Sequence, residues 1–201
     1  MPGVPITFRM PTSTRLGAAV EAFDRRVDNE FDRLRGRPVA DRIFYGASAL
    51  GDHGLIWLML GALRGLRSEH EWRAAVRVGA GVGIESAIVN LGIKSLFRRK
   101  RPAWELERPL HLRRPRTSSF PSGHATSAFT AAGLLSDQDR LKPVYYTIAV
   151  LVAWSRVYVK IHHASDVVAG IVVGIGLGKL GKRLFPLPFA PNEESSSPPR
   201  G

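Results

Sequence analysis

At 201 residues, the chain has room for one domain with a substantial apolar core but hardly for a second domain. It contains no cysteine, which excludes a disulfide framework, a zinc–thiolate site and a cysteine nucleophile. Its 29 Lys and Arg residues against 17 Asp and Glu give a net charge of +12, which favours anionic partners: nucleic acid, anionic lipid or a phosphorylated substrate.

The N-terminal region has two predicted parts. Residues 1–13 form an extension that lacks the charged start and long apolar run of a cleavable secretory signal, so none is expected. Residues 14–41 are predicted to form an amphipathic helix, because apolar side chains recur there every three or four positions. This helix either packs on the core or lies at a membrane surface with its arginines near lipid phosphates.

Five apolar blocks follow within residues 42–187 and predict an all-α bundle of about five membrane-spanning helices. The blocks are Ile43–Leu66, Ala74–Phe97, Ser122–Leu135, Pro143–Val159 and Val167–Leu184. A spanning helix needs roughly 20 mainly apolar residues, yet charges interrupt several blocks: Asp52, Arg77, Glu85 and Arg156. The mean hydropathy of −0.05 is also low for a protein with many spans.

A stripe of glycines in the fifth block favours membrane insertion despite these charges. Gly170, Gly174 and Gly178 recur at intervals of four, which places them on one helix face and lets another helix approach closely in lipid. In a soluble helix, repeated glycine would mainly cost stability. The remaining residues, 188–201, are rich in Ser, Pro and Glu and are predicted to be disordered.

The most basic part of the chain lies between the second and third blocks. Its basic residues are Lys94, Arg98, Arg99, Lys100, Arg101, Arg108, Arg113, Arg114 and Arg116. By charge alone, this segment predicts a cytoplasmic loop that follows the positive-inside rule or a nucleic-acid patch.

Two histidine motifs follow this basic segment and change that interpretation. Ser122, Gly123 and His124 open the third block, where the unpaired N–H groups of a helix N-terminus suit a phosphate oxygen. His162 precedes Asp166 by four positions, so the carboxylate can orient one ring nitrogen and leave the other nucleophilic. A metal site built from these side chains is disfavoured, because the flanking cations would repel a metal ion and attract phosphate.

Together, these segments resemble the three signature motifs of the PAP2 (type 2 phosphatidic acid phosphatase)/haloperoxidase superfamily. The matching residues are Lys94, Arg101 and Pro102; then Pro121, Ser122, Gly123 and His124; then Ser155, Arg156, His162 and Asp166. The resemblance implies that Lys94, Arg101 and Arg156 clamp the phosphate, with hydrogen bonds from Ser122 and Gly123. It further implies that His124 protonates the leaving group and that His162, held by Asp166, forms a phosphohistidine that water hydrolyses.

The function implied is metal-independent hydrolysis, without a cofactor, of a lipid phosphate: phosphatidic acid, phosphatidylglycerol phosphate, or a polyprenyl phosphate or diphosphate. The expected partners are membrane lipids, not nucleic acid. A vanadate-dependent haloperoxidase, a lipid phosphotransferase and a non-catalytic basic binding protein are the alternatives. Because His124 must be protonated while His162 must be neutral, a bell-shaped pH profile is expected.

Topology and one departure from the family pattern complete the sequence analysis. If the second block runs outward, all three motifs meet at the outer face, and the basic loops of the opposite face indicate the cytoplasm. This places the protein in a bacterial plasma membrane with its site facing outward. Lys160 stands where family members often have glycine, and it is expected either to bind a further phosphate or to point to water.

Overall fold

The computed structural model describes residues 14–103 and 117–188, which are helical and contain no strand. The helices are α1 (Arg15–Asp32), α2 (Pro38–Leu50), α3 (Leu55–Gly65), α4 (Glu69–Leu96), α5 (Gly123–Leu135), α6 (Lys142–Tyr158) and α7 (Ala164–Leu184). This confirms the predicted all-α bundle. The predicted N-terminal extension and the predicted disordered tail beyond residue 188 lie outside the described residues.

Helix α5 forms the centre of the bundle. Ten of its 13 residues are buried, and it packs against α4, α6 and α7. Most of its side chains are Ala, Gly, Ser or Thr, which are small enough to be surrounded by helices on several sides. The second residue of this central helix is His124, so the packing that holds the core also holds a predicted site residue.

The close approach of α7 to α5 depends on the predicted glycine stripe. A Cβ atom added at Gly170 would lie 2.6 Å from the carbonyl oxygen of Ser122, and one at Gly174 would lie 2.5 Å from that of Thr126. Both clashes are with backbone, which cannot move aside as the end of a side chain can. The stripe is therefore a helix contact, as the sequence predicts.

The first apolar block forms two helices instead of one. Helices α2 and α3 meet at an angle of 62° around a short 3-10 segment, Asp52–Gly54. The backbone φ angles of His53 and Gly54 are 55° and 70°, in the left-handed region that interrupts a helix. The charge at Asp52 thus marks a bend, not a defect in a single span.

By length and composition, α4 and α7 can each cross a membrane, and the bent pair of α2 and α3 can supply a third crossing. Helix α5, with 13 residues, is shorter than a straight crossing needs, and α6, with 17, lies at the lower end of the range of about 17–25 residues. The bundle thus contains two or three candidate membrane spans among the described residues, while the number of five spans stays a prediction.

The amphipathic helix predicted over residues 14–41 is shorter in the structure, because α1 ends at Asp32 and α2 begins at Pro38. Helix α1 has the predicted amphipathic character and packs against α6 and α7. Its apolar stripe is divided, since Val27 and Phe31 pack on the core whereas Leu16 is 72% exposed. Asp24, on the same helix, is buried instead of facing solvent. The helix is therefore docked through its C-terminal half and through one buried acid.

Replacing Gly174 by Ala is expected to destabilise the protein, because the new Cβ would collide with the Thr126 carbonyl group. Overpacking of this kind costs about 1–3 kcal/mol. Thermal unfolding of detergent-purified protein measures the effect as a lower midpoint. The matched control is Gly176→Ala on the same helix, where a Cβ meets nothing within 4 Å. Equal midpoints for the two variants would contradict the proposed helix contact.

Candidate active site

The three motifs meet at one end of the bundle. Backbone N–H of Ser122, at the start of α5, donates to the carbonyl oxygen of Asp166 in the first turn of α7 at 3.0 Å. The ammonium of Lys94, near the end of α4, lies 3.2 Å from the position that a Cβ would take at Gly123. The structure therefore brings together residues from α4, α5 and α7 that are far apart in sequence.

His162 lies in the connection between α6 and α7 and is only 3% exposed. Its backbone N–H donates to the carbonyl oxygen of Arg156 at 3.1 Å, and its Nε2 lies 3.1 Å from Nη1 of Arg101. Burial, reinforced by the charges of Arg156 and Arg101, lowers the pKa of His162 to about 3, although Asp166 acts in the opposite direction. The ring is therefore neutral above that pH.

Asp166 is fully buried and faces the other ring nitrogen of His162, Nδ1, at 3.7 Å. This separation is longer than a hydrogen bond but close enough for electrostatic interaction. Its Oδ2 accepts the backbone N–H of His163 at 2.9 Å, and its Oδ1 accepts Nη1 of Arg99 at 2.6 Å. His163 therefore has a structural position at the start of α7.

Arg99 links the site to the N-terminal helix. Besides Asp166, its guanidinium donates to Oγ of Ser165 at 2.7 Å and to Oδ2 of Asp24 at 2.6 Å. Asp24 in turn accepts the backbone N–H of Ser165 at 2.7 Å. A chain of contacts thus runs from α1 through Arg99 to the acid that faces His162.

Each predicted clamp residue already has a protein partner in this structure. Lys94 donates to Oδ1 of Asn90 at 2.9 Å, across the π-helical turn Ile88–Ile93 of α4, and such turns recur at functional sites. Arg101 donates to the carbonyl oxygen of Ile161 at 3.0 Å. Arg156 is 1% exposed and donates to Oγ of Ser48 in α2. These contacts orient the cations before any ligand binds.

Ser122 has a structural contact as well as a predicted phosphate contact. It is the N-cap of α5, and its Oγ accepts the backbone N–H of Ala125 at 3.5 Å. Its own N–H is used by Asp166. A direct hydrogen bond from Ser122 to phosphate stays a prediction.

Lys160 takes neither of the two positions expected from the sequence. Its ammonium lies 3.3 Å from Oδ2 of Asp28 and 3.4 Å from Oδ1 of Asp32, so it pairs with carboxylates of α1. Its backbone φ is 50°, in the region that glycine enters most easily. This conformation gives a physical reason for the glycine that resembled sequences often carry at this position.

Sequence reasoning missed three residues at this site: Asp24, Asp52 and Arg99. Oδ1 of Asp52, at the bend between α2 and α3, lies 2.9 Å from Nε2 of His124. The sequence signal for Asp52 was a lone acid interrupting an apolar block, which is expensive in a membrane and commonly functional. Asp24 and Arg99 carried no such signal, because each stands among many other charged residues.

A cavity of about 570 Å³ opens beside His162. The residues that line it include Glu21 and Asp28 of α1, Arg99 and Lys100 of the basic segment, and His163. The nucleophile predicted from the sequence therefore borders this cavity, whereas the predicted clamp residues Lys94, Arg101 and Arg156 are not part of its lining.

Comparison with known proteins identifies the family and the fold. The family model of the PAP2 superfamily matches residues 74–188, which contain all three motifs. The decaprenylphosphoryl-5-phosphoribose phosphatase of Mycobacterium tuberculosis is 37% identical over 141 residues, covering 67% of this chain and 75% of that protein.

Two solved structures share the fold. The transmembrane PAP2-type phosphatidylglycerolphosphate phosphatase from Bacillus subtilis is 23% identical with a TM-score of 0.64, covering 94% of this chain and 92% of that one. Aquifex aeolicus LpxE is 25% identical with a TM-score of 0.61, covering 87% and 99%.

The helical bundle and its cationic histidine site define a membrane phosphatase. More specifically, the chain belongs to the PAP2 superfamily, and it is an enzyme that hydrolyses phosphate esters.

Asp24→Asn is expected to lower kcat about tenfold, because it weakens the anchor of Arg99 and so loosens Asp166. Phosphate release by purified protein measures the loss. The matched control is Glu30→Gln on the same helix, where an exposed carboxylate pairs with the exposed Arg33. Unchanged kcat in a folded Asp24→Asn variant would show that α1 does not support the site.

Proposed function

We propose that this enzyme removes phosphate from a lipid phosphate through a phosphohistidine at His162 and without a metal ion. The observation that carries the proposal is the position of His162, which is buried, neutral and 3.1 Å from the guanidinium of Arg101. A neutral nucleophile among fixed cations suits a phosphate ester, whose transferring group carries spread negative charge.

In the proposed complex, Lys94, Arg101 and Arg156 bind the phosphate oxygens together with N–H groups at the start of α5. Arg101 presently donates toward Nε2 of His162. A bound phosphate would take over this donor and leave the nitrogen lone pair free to attack. The same cation would thus prepare the nucleophile and bind its target.

The reaction then has two steps. Nε2 of His162 forms a bond to phosphorus while the ester P–O bond breaks, and the leaving oxygen takes a proton from His124. Water next attacks phosphorus, its proton passes to His124, and the P–N bond breaks to release inorganic phosphate. Asp166 stabilises the charge that develops on His162.

A lipid substrate is supported by the membrane helices and by a second cavity. This cavity, of about 510 Å³, lies between α4 and α7 and is lined mainly by apolar side chains. Ile84 and Ile88 border it toward Lys94, whereas Leu180 and Leu184 border its other end. A long apolar tail would fit along this path. We infer a polyprenyl-linked phosphate, because the M. tuberculosis relative is named for one.

The proposed site faces outward from a bacterial plasma membrane. The opposite end of the bundle carries the basic residues Arg64, Arg67, Arg73, Arg140, Lys142, Lys179, Lys182 and Arg183, and Lys and Arg in short loops favour the cytoplasm. The basic residues at the site end are explained by the negative charge of the proposed phosphate substrate.

The mechanism predicts an acid-labile, base-stable phosphoprotein when purified enzyme meets 32P-labelled lipid phosphate and is quenched with alkali. His162→Ala is expected to abolish the label and to lower phosphate release at least about 10⁴-fold. Activity is expected to persist in EDTA. A panel of phosphatidic acid, phosphatidylglycerol phosphate and polyprenyl phosphates measures substrate preference, with polyprenyl substrates fastest.

The matched control is His163→Gln, which changes the neighbouring histidine and should keep the label. Label at a residue other than histidine, or full inhibition by EDTA, would contradict the mechanism. Added alcohol acceptors test phosphotransfer in the same assay, and bromide oxidation with vanadate tests the haloperoxidase alternative.

The orientation is testable because the chain has no native cysteine. Thr117→Cys, exposed at the site end, is expected to react with a membrane-impermeant maleimide on intact cells. Glu69→Cys, exposed at the opposite end, is expected to react only after lysis. The reverse pattern would place the site in the cytoplasm.

A further inference from the structure

The bend between α2 and α3 places a carboxylate against the predicted general acid. Oδ1 of Asp52 lies 2.9 Å from Nε2 of His124, although the two residues belong to different helical segments. The Asp52 side chain is 38% exposed and that of His124 is 17% exposed, so solvent reaches both side chains. None of the three motifs contains Asp52.

The bend is shaped around this contact. A Cβ atom at Gly51 would lie 2.7 Å from Cγ1 of Val152 and 2.9 Å from Cδ2 of His124, so the imidazole packs directly on the glycine. The next residue but one, His53, has a φ of 55°. A non-glycine residue in this region costs free energy, and such conformations concentrate at functional sites. The unfavourable backbone therefore positions Asp52.

The positive charges around His124 make the carboxylate of Asp52 important. Burial opposes a positive charge on the ring most strongly, and the guanidinium of Arg156, on α6, and the ammonium of Lys94, on α4, oppose it further. Arg156 and His53 also interact electrostatically with the carboxylate of Asp52. Among the described residues, Asp52 is the acid in direct contact with His124. Without Asp52, a protonated His124 ring would be left with the nearby cations Arg156 and Lys94 and with no acid in direct contact among the described residues.

The contact also decides which nitrogen can deliver a proton. If Nε2–H donates to Asp52, Nδ1 is the nitrogen left for the substrate, and within the described part of the chain no hydrogen bond engages Nδ1. We propose that Asp52 is a positioning residue that holds Nε2–H of His124, so that Nδ1 exchanges protons with the leaving group and with water. This inference rests on the proposed function.

The proton balance is complete. In the first step, Nδ1–H of the imidazolium passes to the ester oxygen as the P–O bond breaks, and the neutral ring keeps Nε2–H on Asp52. In the second step, Nδ1 takes a proton from the attacking water as the bond between phosphorus and His162 breaks. Asp52 stays negatively charged in both steps and offsets the positive charge of the imidazolium.

Leaving-group dependence tests the proposal. Asp52→Asn is expected to lower kcat about 100-fold on an alkyl or lipid phosphate, whose alkoxide must be protonated. On p-nitrophenyl phosphate, whose leaving group is stable unprotonated, a loss below about fivefold is expected. His124→Ala should show the same selectivity, and the double variant should be no slower than His124→Ala alone. Leu50→Met, at an exposed position two residues before Asp52, is the control and should stay near the parent.

Several outcomes would overturn the inference. Equal losses on both substrates, or additive losses in the double variant, would reduce Asp52 to a structural contact. Inhibition by inorganic phosphate, unchanged within about threefold in Asp52→Asn, checks that the phosphate site is intact. If the parent enzyme were inactive on both substrates, that result would instead contradict the proposed function itself.

A spectroscopic measurement on the unaltered protein does not depend on any variant folding. In 15N-histidine NMR of detergent-purified enzyme, the neutral ring of His124 is expected to carry its proton on Nε2. The signal is assigned by its loss in His124→Gln. A proton on Nδ1 would contradict the role given to Asp52.

Discussion

The site depends on the close approach of α5 and α7. Where Gly170 and Gly174 face the backbone of Ser122 and Thr126, no side chain separates the two helices. The hydrogen bond from Ser122 to the carbonyl oxygen of Asp166 is possible only at that separation. It connects the first turn of α5, which carries His124, with the first turn of α7, which carries Asp166. The glycines thus establish the distance between the two histidine motifs.

The cationic character of the site creates a second constraint, since like charges gathered near a membrane repel each other. Acidic side chains from segments outside the three motifs offset this repulsion. Asp24 of α1 neutralises Arg99, and Asp52 of the bend neutralises charge near His124. Helix α1 and the broken pair of α2 and α3 are therefore parts of the site. A core limited to the motif-bearing helices would leave these charges unbalanced.

Much of this organisation was predictable. The apolar blocks indicated the helices, and the spacing of Lys94, Arg101, His124, His162 and Asp166 indicated which helix ends must meet. The bend at Asp52 was not predictable, because a charge in an apolar run is compatible with either a bent or a straight helix. Lys160 was misjudged for a related reason: its salt bridges are with Asp28 and Asp32, which are more than a hundred residues away in the chain.

By itself, the sequence determined the helical class and the chemistry of the motifs, because periodicity and residue spacing are local properties that the chain carries in any conformation. It also determined the family, through the same spacings. Only the tertiary structure decided which acids serve the cations and the histidines, because such pairing depends on distances between helices. In the sequence, Asp52 is only a charge that interrupts an apolar block. In the folded protein, its carboxylate contacts His124.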